Sequence, residues 1–129
     1  MGQNASSPAE VVRSMILGMF DRGIEALEPH PGMGHLRKLW PAIKAAFPDF
    51  GGELQQQVVE GDMVASLWLI GGTHTGTIFG IPGSGQRVRF QNLSIARVES
   101  GRVVQYNSET GWLDFLMQVG ALPLKGLEG

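Results

Sequence analysis

The chain has no cysteine, so it can build no disulfide framework, no thiol nucleophile and no Cys-based zinc or iron-sulfur site. Its basic residues never run longer than the Arg37-Lys38 pair, and the formal net charge of -2 is spread along the whole length. That pattern offers no surface for nucleic acid. No apolar run approaches the ~18 residues a membrane-spanning helix needs. A phosphate loop of the form Gly-x4-Gly-Lys-Ser/Thr is also missing. The one glycine-rich stretch, THTGTIFGIPGSGQRVRF at 73–90, lacks that lysine and runs from strand to strand. These absences point to a protein of a reducing compartment, the cytoplasm, with neither a nucleic acid nor a membrane as partner.

What is present suits one globular domain with a single core: 129 residues, 43% hydrophobic and 17% charged. We read residues 1–7 as a disordered leader, 8–122 as the domain and 123–129 as a tail. MGQNAS at the start matches the N-myristoylation pattern, and Asn4-Ala5-Ser6 and Asn92-Leu93-Ser94 match the glycosylation sequon. With no apolar leader segment or polybasic partner beside them, these short patterns are taken as fortuitous.

Ser7-Pro8-Ala9-Glu10 is a capping-box arrangement that starts a helix at Pro8, with Glu10 reaching back to Ser7. Val12, Met15, Ile16, Met19 and Phe20 follow at helical spacing, and the helix is expected to end near Glu28. A turn-rich PHPGMG connector leads to a second helical pattern through Leu36, Trp40 and Ile43, which Pro41 must either start or kink. From Glu53 the period changes to that of strands. ELQQQVVE turns at Glu60-Gly61-Asp62 into MVASLWLIGGTHT. RVRFQNLSIARVE turns at Ser100-Gly101 into RVVQYNSE, and WLDFLMQV makes a last helix. Both faces of the second strand are apolar, with Leu67 and Leu69 on one side and Trp68 and Ile70 on the other. One face meets the helices and the other meets a second subunit or further protein. Helices followed by consecutive antiparallel strands give an α+β domain with the helices on one side of a bent sheet. In the 73–90 stretch, Gly76, Gly80, Gly83, Gly85 and Pro82 make a wide hairpin connection, read either as a lid on a pocket or as a passive turn.

Taken together, AAFPDF (45–50), VVEGDMVASLW (58–68), GTHTGTIFGIPGSGQRV (72–88), RVESGRVVQYN (97–107) and LDFLMQVG (113–120) carry a resemblance. The chain resembles the SnoaL-like polyketide cyclase or ester cyclase family of the nuclear transport factor two-like superfamily. The resemblance implies a cystatin-like α+β roll: a cone in which a curved mixed sheet wraps a long N-terminal helix, encloses an apolar pocket and pairs through the sheet into a homodimer. It implies no cofactor. It also exposes two departures. Only IEALEPHPGMG fills the place where relatives usually carry another short helix and a strand, so one wall of the cone is open or supplied by a partner. The family's ending, His-Trp, three residues, then a catalytic Asp, falls in ungapped register on Tyr106, Asn107 and Gly111, so the carboxylate is missing.

An aldol-type cyclisation needs a base near a carbon acid and a donor for the enolate oxygen, inside an apolar pocket. Glu109 shares the strand face of Gly111 if alternation persists, with Asn107 pointing the same way, and Asp114 lies one turn into the last helix. Glu109 reads equally as a solvated strand-end carboxylate, and Asp114 as a first-turn acid favoured by the helix dipole. His74, in the family's Thr-His-Thr-Gly, can assist by donating to a bound oxygen, or is a histidine bonded at a strand end. Tyr106 can donate into the pocket, with Asn107, Trp68 and Phe90 on the substrate wall, though aromatics there serve a core as readily. His30 and His35 are five apart around a turn and form no helical metal pair. Three functions follow: a cofactor-free cyclase or isomerase acting on an apolar carbonyl compound, a binding protein that has lost the chemistry, or an interaction module whose cavity is filled.

Overall fold

The first helix begins where its cap is written and ends at a glycine. In the computed structural model, which describes residues 6–122, α1 spans Pro8–Arg22, and Ser7 Oγ accepts the Glu10 backbone N–H at 3.2 Å. The expected return bond from Glu10 is replaced. Its carboxylate accepts from Ser14 Oγ at 2.7 Å and faces Arg13 at 3.5 Å, because residues three and four further on share its helix face. The expectation that this helix reaches Glu28 is corrected too. Gly23 takes φ +77°, a conformation that ends a helix without a Cβ penalty, and the chain tightens into 3-10 turns at Gly23–Leu27 and Pro31–Met33. The second helix, α2, spans Gly34–Ala46 and runs through Pro41, forgoing the bond to the Arg37 carbonyl. The leader pattern through residue 5 and the tail at 123–129 lie outside the described residues.

Four strands follow: β1 Gly51–Glu60, β2 Met63–Thr73, β3 Arg87–Glu99 and β4 Arg102–Thr110. They form a meander in the order β1-β2-β3-β4. Ser100 (φ +52°) and Gly101 (φ +74°) make the two-residue β3–β4 turn, whose twist matches that of the strands it joins. The last helix, α3, is Trp112–Gln118. The fold is α+β with a curved sheet, but where the resemblance implies a mixed sheet, every strand pairing among the described residues is antiparallel. The short connector explains the difference. His30 Nδ1 accepts the Val103 N–H of β4 at 3.0 Å, and a Cβ on Gly32 would come within 2.6 Å of the Gln105 nitrogen. The connector thus lies against the β4 edge, where a further strand would have to pair, and it closes that wall in part.

Helix α1 crosses the inner sheet face and touches all four strands. Val12, Met15 and Met19 pack in the same core as Val64, Trp68, Ala96 and Val103. A second aromatic group, Phe47, Phe90 and Phe115, seats α3 on the end of the sheet, with ring centroids 5.5–6.3 Å apart. Each of these buried rings contributes about 1.5–3 kcal/mol by leaving water. Among the described residues no helix is long and apolar enough to cross a membrane.

Candidate functional site

The register of β3 and β4 decides which side chains face the interior. Along β3, Phe90, Asn92, Ser94 and Ala96 are buried or half-buried, while Gln91, Leu93 and Ile95 are exposed. Cross-strand partners share a face. The pairs Asn92 with Thr110, Ser94 with Ser108 and Ala96 with Tyr106 therefore put Thr110, Ser108 and Tyr106 on the inner face. By the same rule Glu109, opposite Leu93, and Asn107, opposite Ile95, belong to the outer face.

Between this inner face and the helices lies a cavity of about 300 Å³. Phe20 of α1 and Leu36 and Trp40 of α2 form one side, Trp68 and Ile70 the floor, and Asn92, Tyr106, Ser108 and Thr110 the polar side. Its aromatic cluster is tight: Phe20 meets Trp68 edge-on at 5.8 Å, and Phe50 meets Trp40 at 5.7 Å. Across the strands the Asn92 Nδ2 amide donates to Thr110 Oγ1 at 2.9 Å. Burial pushes the Tyr106 phenol above its ordinary pKa, with the hydroxyls of Ser94 and Ser108 opposing that shift, so the group stays a neutral donor at physiological pH.

The residues singled out from sequence are only partly brought together. Trp68 and Tyr106 line the cavity, and Asn107 and Glu109 border it at the β4 edge. Phe90 is fully buried in the α3 core and does not line the cavity, and Asp114 is exposed on α3 and does not reach it. His74 is fully buried elsewhere. Its ring lies 5.6 Å from Phe47 and 5.1 Å from Phe115, with Nδ1 accepting the Ser84 N–H at 3.2 Å and lying 2.9 Å from Ser84 Oγ. The ring proton is thereby left on Nε2. His74 ties the 73–90 stretch into a closed loop, and that position separates it from Glu109.

The loop touches the site only through a residue that lines it. Ile78 to Ile81 form a tight turn with Phe79 (φ +55°) and Gly80 (φ +73°) in its corners. It carries the Phe79 ring to 4.9 Å from Trp112, which lines the cavity. Phe79 is still 58% exposed, and no residue of the loop lines the cavity itself. Sequence reasoning missed His35, Asn92, Ser108 and Thr110. His35 lines the mouth from α2, yet its spacing from His30 carried no signal. The inward polar residues were legible only as every second position of β3 and β4.

No curated protein matches the chain. Solved structures share its fold at low identity. AclR from Streptomyces galilaeus superposes with a TM-score of 0.81 at 22% identity, covering 90% of this chain and 97% of its own. IdmH from Streptomyces antibioticus gives 0.78 at 22%, covering 89% and 99%. TsrD from Streptomyces laurentii gives 0.77 at 24%, covering 88% and 95%. The SnoaL-like polyketide cyclase family matches residues 4–119, nearly the whole chain, and the protein belongs to that family.

Proposed function

We propose that the chain is a cofactor-free small-molecule pocket protein whose cavity takes an apolar carbonyl compound. One observation carries this reading. The inward row of Asn92, Ser108, Thr110 and Tyr106 faces an aromatic side built from Phe20, Trp40 and Phe50. An apolar chamber with a few convergent polar groups holds an apolar body and orients its oxygens. The test is a binding screen by protein-observed NMR with a panel of aromatic ketones and hydroxy-ketones. Shifts confined to the cavity residues support the reading, and a panel that leaves those resonances unmoved sinks it.

A second reading, turnover of the cyclase or isomerase kind, has its own support. His35 and Glu109 both border the same cavity, Glu109 from the outer-face row at the β4 edge, so two groups able to exchange a proton lie near its mouth while the Tyr106 phenol lies inside. Gly111 at the family's carboxylate position leaves Glu109 as the acid nearest that site in sequence. Mass spectrometry on carbonyl substrates that bind should show product with the native chain and none with Glu109→Gln. Unchanged turnover in that variant removes Glu109 from the mechanism.

The partner of the outer sheet face is a second copy of the chain. Leu93 and Ile95 are 53% and 51% exposed in the middle of the sheet, with exposed Val58 on the same face. The flanking charges are already paired within the chain, Arg89 with Glu53 at 3.2 Å and Arg97 with Asp62 at 2.9 Å. An identical face therefore meets apolar surface at its centre, with Glu60 and Glu109 left at the periphery.

A further inference from the structure

We propose that the free edge of β4, from Tyr106 to Thr110, takes up an extended peptide as an added strand, with one aromatic side chain of that peptide seated in the cavity. The inference goes beyond the small-molecule reading and does not depend on it. The hydrogen-bond phase of the sheet carries it. Gly111 donates to the Gln91 carbonyl at 2.8 Å, and the register runs from Asn92 opposite Thr110 to Arg97 opposite Gln105 without a shift. In an antiparallel pair, bonded residues alternate with unbonded ones. Gln105, Asn107, Glu109 and Gly111 therefore turn their N–H and C=O groups to β3, while Tyr106, Ser108 and Thr110 turn theirs away from the sheet. The order β1-β2-β3-β4 puts no strand beyond them, and these outward groups have no backbone partner among the described residues. The connector covers only the start of the edge, at Val103 and Gln105, and Ser108 is exposed. The run from Tyr106 to Thr110 holds no lysine or proline, residues that commonly blunt an edge. The irregularity of β4 falls before that run, where Arg97 gives way to Val98 on β3. The opposite edge strand, β1, is itself interrupted between Leu54 and Gln56.

This edge and the cavity are one feature. Consecutive strand residues face opposite sides, so a cavity lined by every residue from Tyr106 to Thr110 meets the strand along its edge. Leu36, Leu39 and Trp40 of α2 line it as well, and Leu39 is 44% exposed. A groove between a helix and a strand edge holds a chain by main-chain bonds and selects it by alternate side chains. The peptide residue opposite Ser108 shares its inner face and points into the cavity, where about 300 Å³ beside Trp40 and Phe50 suits an aromatic ring. The residues on either side of it lie on the outer face, beside Asn107 and Glu109. Among the described residues Glu109 is the one carboxylate lining the groove, and no lysine or arginine lines it. A cation opposite Glu109 therefore completes the pairing. The partner is an extended, proline-free segment with an aromatic residue flanked by basic ones.

The probe is the acetylated and amidated peptide Val-Lys-Phe-Lys-Val, titrated into the full 15N-labelled chain. Binding should shift the amides of Tyr106, Ser108 and Thr110 and slow their hydrogen exchange. Exchange at Asn107 and Glu109, already bonded to β3, should not change. Two N-methylated forms of the peptide keep every side chain: one is methylated on both Val and on Phe, the other on both Lys. Each loses the N–H groups of one side only, so one form should bind about tenfold more weakly or worse, and the other like the parent. Ser108→Pro removes an outward N–H and keeps the β3 ladder, so it should fold and bind about tenfold more weakly. Should it not fold, the methylated pair decides alone. Equal losses in the two methylated forms, or shifts at the cavity without protection of the edge amides, overturn the proposal and leave the small-molecule reading standing. Absence of peptide binding overturns it too. Equal binding after both Lys are replaced by Glu overturns the cationic flank. Protection of the same amides that grows with protein concentration, with no peptide present, gives the edge to a second copy and overturns the peptide as its occupant.

Discussion

Ser84 holds the His74 ring from two sides, its amide donating to Nδ1 at 3.2 Å and its hydroxyl lying 2.9 Å from the same atom. The serine comes from the far end of the loop and the histidine from its start, so this pair closes the loop. Ser84→Ala should cost about 1 kcal/mol in urea unfolding, the net worth of one hydrogen bond. His74→Ala should cost about 2–4 kcal/mol, because it also empties a buried site between Phe47 and Phe115. Neither should alter binding in the cavity. A ligand affinity that falls in Ser84→Ala at unchanged stability would give His74 a part in the site.

Gly111 is open to a side chain. Its φ is −74° and it caps α3, and a Cβ there would meet the Gln91 oxygen at 3.4 Å and Phe90 Cβ at 3.8 Å, ordinary contact distances. Gly111→Asp, which restores the residue type at the family's carboxylate position, should fold normally. Aspartate is a good N-cap, so stability should change by only a few tenths of a kcal/mol, with the nearby Asp114 opposing the gain. A loss above about 2 kcal/mol in denaturant melts would show that the site cannot accept the carboxylate.

His30 makes stability depend on pH. Burial, and then the charge of Arg102, lower its pKa from 6.5, and the neutral Nδ1 accepts the Val103 N–H. Since the unfolded chain takes up the proton first, this stabilisation is complete above pH 6.5, the unfolded value, and is lost as pH falls through the lower folded value. Wild-type protein should weaken more than His30→Gln between pH 7.5 and pH 5. Parallel declines would exclude His30 as the cause.

The outer sheet face can be tested by adding charge to it. Ile95→Lys should convert a dimer into a monomer in light scattering without lowering the intrinsic stability of the fold, since Ile95 is already half exposed. A native chain that is monomeric at high micromolar concentration would refute the pairing.

Phe79 holds a positive φ that costs a non-glycine residue about 1–2 kcal/mol, offset by its edge-on contact with Trp112. Phe79→Gly should leave stability within about 1 kcal/mol and speed ligand exchange at the rim. Slower or unchanged exchange in NMR line shapes would mean that the aromatic contact does not cover the mouth.

Much of the fold could be read before any coordinates. Ser7 and Pro8 mark the start of α1 and Gly23 its end, though the periodicity that continues through Ala26 and Leu27 hid the stop. The change to period two near residue 53 announced the sheet, and Gly61 and Ser100-Gly101 its turns. The antiparallel meander was not legible against the mixed sheet that the resemblance implies, because only the docking of His30 and Gly32 on β4 shows what occupies that edge.

The site was harder to read, for a reason specific to strands. A one-residue difference in facing exchanges inside for outside, and no local signal says which set of β4 turns inward. Glu109 and Asn107 were chosen by counting from Gly111, and the count was self-consistent. The pairing of Leu93 with Glu109 then set that whole set on the outer face and brought Thr110, Ser108 and Tyr106 in. By itself the sequence determined the element types, their caps and turns and the family, since these depend on neighbours a few residues apart. The tertiary structure alone decided that His74 is a loop tie, that His35 lines the mouth and that the Trp68 indole N–H is buried without a partner. Those facts arise from contacts between distant segments, and burial leaves a polar atom unpaired only after every segment has taken its place.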